Sequence, residues 1–197
     1  LRITHLGGGA CSLARYCADV YPNSRNTVVE LDAKLAEHVR DWFDIPKSPR
    51  VKIRVGDAGT ITRSFAPASR DVVIRDVFAV DKTPAELTGV NFVRTVDNSL
   101  GPGGLYILNC GDDRALNSAR AEAAALLEVF EYVSIVADSA MLKGRRRGNV
   151  ILAGSHVPLP QLGSAEAASI SRVLMGGGVP AQYWDTEKVR AFARKGA

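Results

Sequence analysis

No uninterrupted apolar run in the 197-residue chain approaches the roughly 20 residues that a bilayer-spanning helix needs. Nor do the first residues show the basic, apolar, then small-residue order of a secretory signal. Neither a membrane nor export is expected, and the expected location is cytoplasmic. Cysteine is scarce: Cys11, Cys17 and Cys110 are an odd number without metal-ligand spacing, which argues against a disulfide framework or a zinc centre. All three are expected to be buried thiols, and no metal is expected. Aromatic residues make up only 7%. The net charge of +4 is small, and no basic stripe or aromatic platform accompanies it, so nucleic acid is not an expected partner. The one dense basic run, "KGRRRGN" at 143–149, reads as a solvated loop between two strands. Methionine is missing from position 1, where Leu1 leads at once into an apolar run. That start reads either as removal of an N-terminal segment or as a non-standard start codon taken literally.

What is present is ordinary globular composition, 46% hydrophobic and 23% charged, enough for one compact domain. Short apolar runs alternate with segments of helical period. "RITHL" reads as a first strand and "SLARYCADV" as a helix with Leu13, Tyr16, Cys17 and Val20 on its inner face. "NTVVEL" is the second strand, and "DAKLAEHVRDWF" a helix with Leu35, Val39, Trp42 and Phe43 turned inward. "RVKIRV", "RDVVIRDVF" and "GLYILNC" follow as strands, with a helix expected over "PAELTGVNFVRTVDNSL" and Pro84 in its first turn. A long helix is expected from Asp113 to Phe130. "EYVSIVA" and "GNVILAG" are then separated by a loop too short for a helical crossover, so they should pair antiparallel. The expectation is an α/β fold: a doubly wound, Rossmann-like, seven-stranded sheet, mostly parallel, with an antiparallel C-terminal hairpin, resembling class I methyltransferase-like proteins. Residues 1–155 would form the nucleoside-binding domain. Residues 156–197 would form an irregular C-terminal arm with one short helix and a final helix at "DTEKVRAFARK", packing on that domain or extending from it.

The chemistry-bearing residues cluster at expected strand ends. Gly7, Gly8 and Gly9 lie between the first strand and the first helix, where backbone N–H groups can approach a ligand at a positive helix end; a tight turn alone also accounts for them. Glu30 ends the second strand, placed to accept hydrogen bonds from ribose hydroxyls. Asp57, after the third strand, can accept from an adenine amino group while the Ala58 amide meets a ring nitrogen; a helix N-cap is the competing use. Asp76 ends the fourth strand. All these positions fall where open α/β sheets hold ligands. NAD is an alternative, but Ser12 stands where its third motif glycine would be.

In these motifs the chain resembles the spermidine synthase family, the polyamine aminopropyltransferases, from about Arg2 to Gly154. "GGGACSLARY" looks like the glycine motif, "TVVELDAKL" the ribose-binding strand end, "RVKIRVGDAGT" the adenine segment, and "RDVVIRDVFAVDKTPAEL" the catalytic strand, loop and helix. The resemblance implies decarboxylated S-adenosylmethionine as co-substrate, with no covalently bound cofactor, and aminopropyl transfer to a polyamine such as putrescine. It casts Asp76 as general base, Glu30 as ribose holder, and Asp57 with Ala58 as adenine reader. The departures are one-sided. Ala10, Cys11 and Ser12 replace an aspartate and two glycines, so the carboxylate that would grip the aminopropyl ammonium is absent. Ala79 replaces a second aspartate, which leaves Asp81 and Asp112 as the carboxylates that could meet the amine, and Met141 aligns with a channel tyrosine. The family's N-terminal β-strand domain has no counterpart in these residues. Two other readings stay open: an S-adenosylmethionine-dependent methyltransferase, and a non-catalytic nucleoside-binding or interaction protein. Self-association as a homodimer, through sheet edges or the arm, is the further partner reading.

Overall fold

A computed structural model describes residues 1–194. Its centre is one sheet of eight strands in the order β3-β2-β1-β4-β5-β7-β6-β8. The strands are β1 (Arg2–Leu6), β2 (Arg25–Glu30), β3 (Val51–Val55), β4 (Arg70–Arg75), β5 (Leu100–Asp112), β6 (Tyr132–Asp138), β7 (Gly148–Ser155) and β8 (Ala181–Trp184). The first five run parallel, and β7, β6 and β8 close the far side antiparallel. The helices are α1 (Ser12–Val20), α2 (Ala33–Trp42), α3 (Ala58–Arg63), α4 (Gly89–Ser99), α5 (Asn117–Val129), α6 (Ser139–Leu142), α7 (Ala165–Met175) and α8 (Thr186–Ala193). This is the class I methyltransferase-like architecture, with an antiparallel terminal hairpin as expected.

The sheet has eight strands rather than seven. The additional one, "AQYW", pairs with β6 inside the segment read as an irregular arm. Four residues are too few to show a strand period, and the partner lies more than forty residues away in sequence, so only the closed sheet edge reveals it. The arm also carries α7 and α8, and Tyr183 Oη donates to the Pro160 carbonyl at 2.6 Å. Lys195, the last residue of the helix read at "DTEKVRAFARK", lies outside the described residues.

The inner faces of the first two helices also differ from expectation. On α1 the buried residues are Ala14, Cys17 and Ala18, while Leu13, Tyr16 and Val20 face out. On α2, Ala36 and Val39 are buried and Trp42 and Phe43 are exposed. Small side chains let these helices sit close to the sheet, and the large ones pack along the surface: Trp42 stacks on His38 and the Arg15 guanidinium lies over Phe43. The expected helix at 84–100 is split into a 3-10 turn, Ala85–Leu87, and α4, because Thr88 is extended and Gly89 is left-handed at φ +74°. The helix expected from Asp113 starts at Asn117, after Leu116 in left-handed conformation. All three cysteines are buried as expected, and burial pushes the Cys110 thiol up to about 12. Among the described residues no helix is long and apolar enough to cross a membrane.

Within this apolar core sits one complete ion pair. Arg75, the last residue of β4, has no exposed side-chain surface, and its Nη2 donates to Glu122 Oε1 of α5 at 2.6 Å. Its Nη1 donates to the carbonyl of Leu87. A buried pair contributes little beyond an apolar isostere, but breaking one partner strands a charge. Glu122→Ala is therefore expected to cost about 3–5 kcal/mol in urea unfolding, and the double change Arg75→Met with Glu122→Leu to stay within about 2 kcal/mol of the parent.

On β1, buried His5 places Nε2 3.0 Å from Asn26 Oδ1. The Asn26 amide donates to Ser24 Oγ and the Arg50 carbonyl, which orients its oxygen as the acceptor for His5 Nε2–H. Burial lowers the His5 pKa, against the smaller opposing effect of the Asn26 bond. The unfolded chain thus protonates first, near its ordinary value of about 6.5. His5's share of stability is whole above that value and is lost as pH falls below it. Melting temperature followed from pH 7 to 5 should fall in the parent, and fall less in His5→Gln.

Candidate nucleoside site

Because β1 to β4 are parallel neighbours, their carboxyl ends open onto one edge of the sheet. The register pairs Leu6 with both Val29 and Arg75, and Glu30 with Val55. Directly beyond these ends lies a cavity of about 630 Å³. Its lining includes Gly7, Gly8, Gly9, Glu30, Asp57, Ala58 and Asp76, so every nucleoside-side and catalytic candidate named from the sequence meets at one place.

The glycine turn is built by sterics and one carboxylate. Gly7 has φ +92°, and a Cβ there would lie 2.1 Å from the Asp76 carbonyl oxygen, which only glycine avoids. A Cβ on Gly8 would come within 2.8 Å of Val28 Cγ1. Glu30 Oε2 accepts the N–H groups of Gly8 and Gly9, each at 3.0 Å, and Oε1 accepts the Asp32 N–H at 2.9 Å. Glu30 thereby pulls the turn down onto the end of β2. A carboxylate has about four acceptor positions, so the side chain that shapes the turn can still accept from a ligand.

Asp57 caps α3, its Oδ1 accepting the Thr60 N–H at 2.7 Å. That bond holds its carboxyl below the ordinary range. The cap and a ligand contact are compatible, because Oδ2 stays open and Ala58, the first residue of α3, has no intrahelical acceptor for its N–H. The N-terminus of α1 also faces the cavity. Cys11 precedes it at φ 55° and provides no side-chain cap.

Asp76 is exposed to the cavity, and its Oδ1 accepts from Asn109 Nδ2 at 2.9 Å. Sequence reading missed Asn109. Its signal was an amide inside the apolar run "GLYILNC", where a side chain of that kind needs a partner. Asp81 and Asp112 are not among the residues lining this cavity; they line an adjoining groove that shares Phe78 with it. Met141 is buried in the apolar core. Among the described residues, no group of three or more histidine, cysteine, aspartate or glutamate side chains is arranged to hold a metal.

Fold and site together define a class I methyltransferase-like protein with a nucleoside-sized cavity at the carboxyl edge of its parallel strands. No family model matches the chain. Among solved structures it resembles that of a probable spermidine synthase from Corynebacterium glutamicum, at 61% identity over 98% of this chain and 69% of that one, TM-score 0.95. The chain belongs to the spermidine synthase family. It also resembles human methyltransferase-like protein 13, solved in complex with SAH, at 25% identity over 88% of this chain and 80% of that one, TM-score 0.70. Among curated proteins, the eEF1A lysine and N-terminal methyltransferase of Mus musculus is 33% identical over 132 residues, 61% of this chain. This chain spans only 19% of that relative's length.

The glycines can be ranked by what surrounds them. Gly7→Ala puts a methyl group into backbone atoms and is expected to destabilise by more than about 2 kcal/mol. Gly9→Ala meets open space at φ +46° and should cost only the left-handed strain of about 1–2 kcal/mol. Urea unfolding of the two variants reads the difference.

Proposed function

We propose that the cavity holds the adenosyl part of decarboxylated S-adenosylmethionine and that the protein transfers the aminopropyl group to an amine, putrescine being the acceptor that the family resemblance implies. The convergence of Gly7 to Gly9, Glu30, Asp57 and Asp76 on one cavity carries this reading. Glu30 would accept from a ribose hydroxyl at its remaining Oε1 position, Asp57 Oδ2 from the adenine amino group, and the Ala58 N–H would meet a ring nitrogen.

At physiological pH an alkylamine is protonated, with a pKa near 10, and its lone pair is blocked. Asp76, steadied by Asn109, has a second oxygen free to take that proton. The amine nitrogen then bonds to the aminopropyl carbon next to sulfur as the carbon–sulfur bond breaks. The bonding pair moves to sulfur, cancelling the sulfonium charge and releasing methylthioadenosine. Closure of the site against water is the task of the loop from Asp76 to Leu87, whose two ends, Val77 with Phe78 and Pro84 with Leu87, both line the cavity.

A second reading, methyl transfer from S-adenosylmethionine, is favoured by one feature. The N-terminus of α1 has no side-chain cap and no acidic residue in its first turn, and Ala10 precedes it. Its free N–H groups suit the carboxylate that decarboxylation removes, and no acid at Ala10 is present to hold an aminopropyl ammonium. The complex of methyltransferase-like protein 13 with SAH lends support to this reading.

Calorimetry with methylthioadenosine, S-adenosylmethionine and its decarboxylated form separates the cases. Binding of the decarboxylated form in preference to S-adenosylmethionine supports aminopropyl transfer, and the reverse preference supports methyl transfer. No binding by any of the three overturns both. In a transfer assay with putrescine and cadaverine, Asp76→Asn should lower kcat by about 10²–10⁴-fold while methylthioadenosine affinity stays within about threefold. Undiminished turnover in that variant would remove Asp76 from the role of base.

A further inference from the structure

The parallel strands have a second set of ends. At their amino ends, opposite the nucleoside cavity and about 17 Å from it along the five residues of β1, lies a cleft of about 220 Å³. Its lining includes Arg2, Arg25, Thr27, Ser48, Lys52 and Arg70, and among the described residues no carboxylate lines it.

No run in the sequence announces this cleft, because its cations come from four different strands. The register gathers them. Arg2 pairs with Arg25 and Thr27 with Lys52, and the alternation along β2 turns Arg25 and Thr27 to one face. Toward the carboxyl ends the same face carries Leu6, Val29 and Arg54, and there Leu6 and Val29 join Ile61 and Phe65 in the core. The helix on that side, α3, has only six residues, and Arg25 and Lys52 are left exposed.

Charge at this edge is out of balance. Asp71 pairs with Arg2, its Oδ2 accepting the Arg2 backbone N–H at 2.7 Å and its Oδ1 accepting Nε–H at 3.1 Å, and so offsets one cation. Among the described residues Arg25, Lys52, Arg54 and Arg70 have no carboxylate within ion-pair distance. Arg70 is partly buried, with its guanidinium 4.2 Å from the centre of the Phe65 ring. Its Nη1 donates to the Ser69 carbonyl at 2.9 Å, while its Nε is buried without a partner. Burial, and then the charges of Arg2 and Arg54, lower its pKa. A guanidinium desolvated beside other cations is strained electrostatically, and an anion in the cleft would relieve that strain.

We infer that the cleft binds a phosphoryl oxyanion, free phosphate or a phosphate monoester, between Arg25, Lys52 and Arg70. The two guanidinium groups offer paired N–H donors to phosphoryl oxygens, and the lysine adds a compact positive charge. Thr27 and Ser48 bring hydroxyl donors to the same walls. The site is separate from whatever the nucleoside cavity holds.

Calorimetry in dilute chloride buffer, with inorganic phosphate, pyrophosphate and glycerol 3-phosphate, reads the site directly. At least one of the three is expected to bind saturably, one per chain, with a dissociation constant of about 1 mM or below that weakens as sodium chloride is added. The inorganic and ester arms separate free phosphate from a phosphorylated small molecule. Arg25→Gln with Lys52→Gln should weaken binding by at least about tenfold. In chloride alone that variant should melt no lower than the parent, because two mutually repelling charges are gone. Lys143→Gln with Arg145→Gln removes the same charge from the exposed basic turn and should keep the affinity within about threefold. No saturable binding of any of the three, an affinity untouched by the first variant, or an equal loss in both variants overturns the inference. A lower melting temperature of the first variant in chloride also counts against it, since the cations would then be stabilising the empty fold.

Discussion

A guanidinium sealed from water sits one residue before Asp76, and much of the site's geometry hangs on it. Arg75 ends β4 between β1 and β5, reaches back to the Leu87 carbonyl, and meets Glu122 on α5. Both ends of the loop that walls the cavity are thus tied to a single side chain. A charge in such a place must have partners in fixed positions, because leaving one unpaired costs several kcal/mol. An apolar residue would tolerate small shifts of Leu87 or α5, whereas a buried ion pair with a third hydrogen bond does not. Its contribution is therefore better described as geometry than as net stability.

A similar economy governs the glycine turn. Glu30 is at once the end of a strand, the acceptor that folds Gly8 and Gly9 downward, and a carboxylate facing the cavity. Asp57 likewise caps α3 while presenting its second oxygen to the same space. In both cases the protein's own backbone amides fix an anion at the wall of the cavity. Structural and functional uses of one residue are not alternatives here, since a carboxylate has more acceptor positions than either use consumes.

The two sides of Phe78 differ in chemistry. On one side, hydrogen-bonding groups and glycine backbone form a cavity of nucleoside size. On the other, Asp81, Asp112 and Asp113 line an open groove together with Lys82, Arg114, Arg146 and Arg147.

The succession of strands and helices along the chain, the mostly parallel sheet, the antiparallel hairpin and the meeting of Gly7, Glu30, Asp57 and Asp76 were legible in the sequence. They rest on short-range periodicity and on the rule that ligands gather at the carboxyl ends of parallel strands. Helix faces were not legible, because apolarity alone cannot tell Leu13 and Trp42 on the surface from Ala14 and Ala36 packed against the sheet. Strand β8, the Asn109 contact to Asp76 and the Arg75–Glu122 pair needed the folded chain as well, each joining residues more than thirty positions apart. By itself the sequence determined which groups stand at the strand ends. The tertiary structure alone decided what each of them meets, because residues distant along the chain come into contact only in the fold: Asn109 takes one oxygen of Asp76 and leaves the other open, and Arg147 is brought to Asp81.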